Sequence, residues 1–250
     1  MVFLIHMNQE NITDSTAEKS STRKRLFISL SVLFGILFID QFSKFLVKLN
    51  MFMNQEIHVI GDWFILHFTE NKGMAFGYEF FGGGEGAKLF LSLFRIAAIL
   101  FIAYYIWKLI KDHSTHKGFI ICMTLILAGA IGNMIDSAFY GMIFSRSGFI
   151  NKAEFLPAEG GYAGFLHGNV VDMLYFPVIK FHEPTWWPFG HVDHASCQNP
   201  YCQNIFIFFR PIFNIADSAI SIGVFTIFIF QKRFFGKKQS VKNAADNPEA

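Results

Sequence analysis

Phe213-Asn-Ile-Ala-Asp217-Ser-Ala-Ile-Ser-Ile-Gly223 puts a carboxylate, an amide and two hydroxyls inside a long apolar run. An aspartate at bilayer depth costs roughly 2.5–3.5 kcal/mol on insertion scales, so such a residue marks a site. Asn214 and Asp217 are three apart and share a helix face, with Ser218 and Ser221 beside them. Lipid cannot solvate that face, which must look into protein or water. A second carboxylate, Asp172, sits in His167-Gly-Asn-Val-Val-Asp172-Met-Leu-Tyr-Phe-Pro177. Alone it reads as a loop aspartate; what raises it is a second acid on the same side in apolar surroundings. Two neighbouring carboxylates in a low dielectric share one proton. The ionised one can take a proton from water while the protonated one hydrogen-bonds a carbonyl, which is hydrolysis of the aspartic-protease kind.

Elements that could position these groups follow from composition. The 250 residues are 52% hydrophobic and 16% charged, with net charge +2. That balance is too apolar and too weakly charged for a soluble domain, and it predicts an all-α polytopic membrane protein. No basic, aromatic-interleaved patch suggests nucleic acid as a partner. The 33 phenylalanines suit lipid-facing surfaces or reflect a compositional preference of the source. Four apolar runs, at about 26–49, 89–110, 119–140 and 207–230, each match the hydrocarbon thickness. Arg23-Lys24-Arg25, Lys108/Lys111/Lys117, Lys232-Arg233 and Lys237-Lys238 flank them, which places both termini in the cytoplasm.

The expected organisation is a tail over 1–25, one membrane domain over 26–231 and a tail over 232–250. Extracytoplasmic segments would cover 50–88 and 141–206. The first 22 residues lack the order of a cleaved signal and read as a disordered tail. Ile57 to Thr69 is rich in β-branched and aromatic residues and predicts short strands, giving a small β-rich segment between the first two helices. Gly82-Gly-Gly-Glu-Gly86 reads as a connector. The second outer segment is too long for a bare loop and predicts short elements of its own.

Depth then groups the polar residues. Asp40 falls about 21 Å along its run, Asp136 about 25 Å along the third, and Asp217 about 15 Å from the outer end of the fourth; a helix start nearer Pro211 would make Asp217 shallower. All three occupy the outer half of the bilayer. Asp40 and Lys44 are spaced for an ion pair, acid first. Asn133 and Asp136 follow Gly129 and Gly132, small residues that let helices approach and bond polar groups across the contact. Arg95, near the outer end of the second run, is expected to snorkel to the surface.

Five blocks together resemble bacterial lipoprotein signal peptidase (signal peptidase II). They are Asp40-Gln-Phe-Ser-Lys44, Glu70-Asn-Lys-Gly-Met-Ala-Phe76, Gly129-Ala-Ile-Gly-Asn-Met-Ile-Asp136, Gly168-Asn-Val-Val-Asp172 and Phe213-Asn-Ile-Ala-Asp217-Ser. The resemblance runs from about Arg25 to Arg233. It implies an inner-membrane aspartic endopeptidase that cuts diacylglyceryl-modified prolipoproteins just before the lipidated cysteine, with Asp172 and Asp217 as the catalytic pair. It further implies that Asn71 and Gly73 hold the substrate chain, and that Asp40, Lys44, Gly129, Asn133, Asp136, Asn169 and Asn214 support the site. The partners would be lipid-modified prolipoproteins and membrane lipids, the protein a monomer, and neither metal nor other cofactor is required.

One departure stands out: the family's third block usually ends Asp-Arg, whereas Ser137 follows Asp136 here. Arg146 or Arg210 could pair Asp136 instead. His182, His191, His194, Cys197 and Cys202 cluster in the second outer segment. Their spacing fits no closed zinc pattern, and an oxidising periplasm favours a Cys197–Cys202 disulfide. The segments from Gly141 to Gly164 and from Phe181 to Tyr201 exceed the compact family pattern, as a lid or as elaboration. The competing class is a proton- or ion-coupled transporter, since intramembrane carboxylates also mark ion paths. Four spans without a repeat or a broken helix weigh against it.

Overall fold

The protein is described from a computed structural model covering residues 2–71, 85–177, 179–182, 205–208 and 211–236. Helix α1 runs Val2–Asn50, α2 Glu85–Lys111 and α3 Lys117–Ile135. A π-turn, Asp136–Tyr140, and a single turn, α4 (Gly141–Ile143), extend α3. Glu18–Asn50, Leu89–Lys111 and Lys117–Ile143 are long and apolar enough to cross a membrane. The expected tail before Leu26 is instead a helical continuation of α1.

The fourth apolar helix, α5, is shorter than expected: it spans Ile215–Ile229, not the run from Ile207. The reason is local. Pro211 has no N–H to give, and Asn214 adopts extended backbone and caps the helix with its side chain. Ile205–Phe208 forms a strand (β5), pairing with β4 (Ile179–His182). Asp217 therefore lies in the first turn of α5, much shallower than ten residues into a span.

Phe27, Phe34, Phe38, Phe94, Phe101 and Phe228 are exposed on the helix surfaces, as lipid-facing side chains are. The inner contacts rest on small residues. A Cβ at Gly129 would stand 2.2 Å from the Ala216 carbonyl oxygen, and one at Gly132 2.7 Å from Asp40 Oδ2. So α3 and α5 meet nearly backbone to backbone, as small-residue interfaces permit. At one end of the bundle Arg25 donates to the carbonyls of Asp112 and His113 at 3.0 and 2.9 Å. The His116 and Phe234 rings meet there at 5.2 Å. Three of the basic clusters thus flank one end.

The sheet stands at the other end. Its antiparallel order is β1 (Glu56–Ile60), β2 (Phe64–Asn71), β3 (Val170–Tyr175), β6 (Ile212–Phe213). The predicted short strands are present and pair as a hairpin, but the sheet also recruits two strands from later in the chain. Phe68, Val171 and Met173 pack on Val47, Met51, Tyr140 and Phe144, so the sheet is seated on the C-terminal end of α1 and on the turns that extend α3. Of the expected connector, Glu85 and Gly86 already belong to α2 and Gly82–Gly84 lie outside the described residues. His191, His194, Cys197 and Cys202 lie outside them too.

Candidate active site

Asp172 lies on strand β3, one of the short elements expected in the second outer segment. The β3–β6 register pairs Leu174 with Phe213, which brings the next residue, Asn214, beside Asp172. Asn214 Nδ2 donates to Asp172 Oδ1 at 2.7 Å, to Asn133 Oδ1 at 3.1 Å and to the Val171 carbonyl at 3.2 Å. Its Oδ1 accepts the Asp217 N–H at 2.9 Å, and its own N–H reaches Asp217 Oδ2 at 3.4 Å, which closes a capping box. Asn133 Nδ2 donates to Asp217 Oδ1 at 2.7 Å. Both carboxylates therefore touch one residue, Asn214.

Their environments differ. Asp172 is buried, whereas Asp217 is half-exposed at the first turn of α5. Burial and the Asp217 charge push the Asp172 carboxyl up to about 7, against the pull of hydrogen bonds from Asn214 and Asn71 and of the Lys44 charge. An acid and a base can thus coexist near neutral pH.

Beneath the pair, Lys44 Nζ lies 2.9 Å from Asp40 Oδ2, 2.9 Å from Asp136 Oδ2 and 3.0 Å from Asn133 Oδ1, with the three charged groups buried. Asp40 Oδ1 accepts the Ala216 N–H at 2.9 Å, placing its charge at the positive end of α5. Asp136 Oδ2 accepts the Val171 N–H at 3.2 Å. One lysine thereby joins the residue before Asp217 to the residue before Asp172. The predicted Asp40–Lys44 pair is present and serves this larger purpose. Asp136 finds its cation in Lys44; Arg146 is exposed, and Arg210 lies outside the described residues. Arg95 does not snorkel outward: its Nη1 meets Ser137 Oγ at 3.3 Å.

Of the remaining predicted residues, Asn71 reaches Asp172 and Gly73 lies outside the described residues. Asn169 takes part in a neighbouring cluster: its Nδ2 donates to Glu70 Oε2 at 3.0 Å. There Lys48 pairs with the other oxygen of Glu70, and Ser147 bonds both residues. Burial opposes the charge on Glu70, yet Lys48, Ser147 and Asn169 hold its carboxyl below the usual range. Sequence reasoning missed Lys48, Glu70 and Ser147, although Lys48 stands one turn beyond Lys44 on the same face. Gln41 was also missed; its Nε2 donates to Asp136 Oδ1 at 2.9 Å and to the Gly132 carbonyl at 3.1 Å.

A family model described as signal peptidase (SPase) II matches residues 32–233. A lipoprotein signal peptidase of Porphyromonas gingivalis is 46% identical over 199 residues, 79% of this chain and 80% of that protein. One from Amoebophilus asiaticus is 36% identical over 197 residues, 78% of this chain and 73% of that protein. Among solved structures, a bacterial membrane enzyme determined in meso at 1.9 Å superposes with TM-score 0.50 and 21% identity, over 81% of this chain and 90% of that one. At that identity the likeness speaks for the fold alone.

Proposed function

The chain belongs to the signal peptidase II family, and from that premise we propose that Asp172 and Asp217 are its catalytic pair. The enzyme is an aspartic endopeptidase that removes signal peptides from prolipoproteins. That membership decides against the transporter alternative. The observation that carries the catalytic assignment is the contact of both carboxylates with Asn214.

In this reading Asp172 holds the shared proton and Asp217 the charge. Asp217 takes a proton from a water between them while the hydroxyl adds to the scissile carbonyl, whose oxygen is hydrogen-bonded by protonated Asp172. As the tetrahedral intermediate collapses, the pair returns a proton to the leaving amine. Asn71, bonded to Asp172 at the end of β2, faces the substrate chain. The substrate is a diacylglyceryl-modified prolipoprotein cut before its lipidated cysteine; its acyl chains stay among membrane lipids while the peptide meets the pair near the sheet.

The location is a bacterial inner membrane with four crossings and both termini cytoplasmic. Support for the fourth crossing comes from residues 231–236, which are again helical after a turn at Phe230 and carry α5 toward the basic end. Support for the orientation comes from the basic clusters gathered opposite the sheet. A single chain carries both carboxylates, so a monomer suffices. The test is cleavage of a purified lipidated preprolipoprotein by Asp172→Asn and Asp217→Asn. Loss of cleavage in both, with folding retained, supports the assignment, and turnover persisting in either refutes it.

A further inference from the structure

We propose that Arg95 is a positioning residue of this site, holding Asn133 and Asp217 in working geometry through Ser137. The inference rests on the catalytic assignment above and adds a residue from α2 to the site.

An arginine is out of place in the apolar helix α2. Arg95 lies in a helix whose neighbours Leu93 and Phe94 are lipid-exposed, and an outward-reaching side chain would be the cheap solution there. Instead the guanidinium is half-buried and turned toward α3, where Nη1 reaches Ser137 Oγ at 3.3 Å. Ser137 uses its own proton elsewhere, donating to the Asn133 carbonyl at 3.1 Å, so its lone pairs are free to receive the arginine. That bond fixes the backbone of the turn that carries Asn133, whose Nδ2 donates to Asp217 Oδ1 at 2.7 Å. Ser137 also stands inside the π-turn Asp136–Tyr140, a local widening of the helix of the kind found at functional sites.

Charge points the same way. Asp40 and Asp136 both lie against Lys44, which they share as their cation. Asp217 adds a further negative charge nearby, and the Arg95 guanidinium lies within its electrostatic reach. With Asp172 protonated, three acids (Asp40, Asp136 and Asp217) face Lys44 and Arg95, so the second cation halves the excess of negative charge. In low dielectric that relief matters more than at a surface. Arg95 acts on Asp217 through Ser137 and through its field, not by touching substrate.

The experiment compares Arg95→Gln, Arg95→Lys, Ser137→Ala and the double variant Arg95→Gln/Ser137→Arg. Each is assayed for kcat and KM on a lipidated preprolipoprotein and for thermal midpoint in detergent, with Asp217→Asn alongside. The expected result is a fall in kcat of about tenfold or more in Arg95→Gln, with KM within about twofold. Arg95→Lys should keep most of kcat, and the double variant should regain part of it, because it restores the charge from the neighbouring helix without the Ser137 hydroxyl. Should Arg95→Gln melt early, Ser137→Ala decides, because it cuts the link and leaves the charge: kcat reduced severalfold at unchanged Tm supports the proposal. Wild-type kcat in Arg95→Gln, or in Ser137→Ala when that variant decides, overturns it. A loss confined to KM, or no recovery in either cationic variant, overturns it as well. If Asp217→Asn is inactive while Arg95→Gln is normal, only this inference falls; an active Asp217→Asn removes the catalytic assignment itself.

Discussion

Asn133 and Asn214 form one hydrogen-bonded bridge between the two acids. Asn214 Nδ2 joins Asp172 Oδ1 to Asn133 Oδ1, and Asn133 Nδ2 continues to Asp217 Oδ1. Pre-set amides of this kind hold reacting groups in place before substrate arrives. Asn214→Ala removes the bridge and the helix cap together. The cap is worth ~0.5–2 kcal/mol, whereas misplacing a reacting group costs on the order of a hundredfold in rate. We expect kcat to fall about a hundredfold while Tm drops by only a few degrees, measured by peptide cleavage and thermal unfolding in detergent.

Lys44→Met leaves Asp40 and Asp136 buried and facing each other without their cation. Breaking a buried pair by deleting one partner costs about 3–5 kcal/mol, and here two acids lose it. The expected outcome is a large loss of Tm together with loss of cleavage, since Ala216 and Val171 are held through those carboxylates. Lys44→Met/Asp40→Asn/Asp136→Asn should recover part of the Tm.

Gly129→Ala tests the helix contact. Its new methyl would stand 2.2 Å from the Ala216 carbonyl oxygen, which is backbone and cannot swing away. Overpacking costs about 1–3 kcal/mol and here displaces the first turn of α5, so kcat should fall with stability. Gly35→Ala, where nothing lies within 4 Å, is the neutral control.

Glu70 gives a pH signature in stability. Its folded carboxyl lies below the usual range, so its contribution is fully present above an unfolded pKa of about 4.3. That contribution is lost as pH falls through the lower folded value. Glu70→Gln should lower Tm at neutral pH by stranding Lys48, and should flatten the acid limb of the Tm–pH curve relative to wild type.

Much of the supporting layer was legible because helix spacing is legible. Asp40/Lys44, Asn133/Asp136 and Asn214/Asp217 each announce a shared face three or four residues apart. Asp172 was legible as a residue but not as a strand, since its neighbours Val170 and Val171 pair with Asn71 and Glu70 from far earlier in the chain. The start of α5 was misplaced because hydropathy continues smoothly through Ile205–Phe208 while Pro211 and Asn214 set the true boundary. Arg95 near the end of an apolar run fits outward snorkelling equally well, and only the packing of α2 on α3 shows it turning in. Gln41 carries no charge to draw notice at membrane depth, yet it bonds Asp136 directly.

If Asp172 and Asp217 hold one proton between them, infrared difference spectroscopy of the titrating carboxyls will show it. Wild-type enzyme should show a carboxylic-acid carbonyl band that vanishes with a midpoint at about pH 7, the value to which burial and the Asp217 charge push Asp172. Asp172→Asn should abolish that band, and Asp217→Asn should move its midpoint to lower pH by removing the neighbouring charge. A wild-type spectrum with no such band, or a midpoint unmoved in Asp217→Asn, would mean that the two acids do not share a proton.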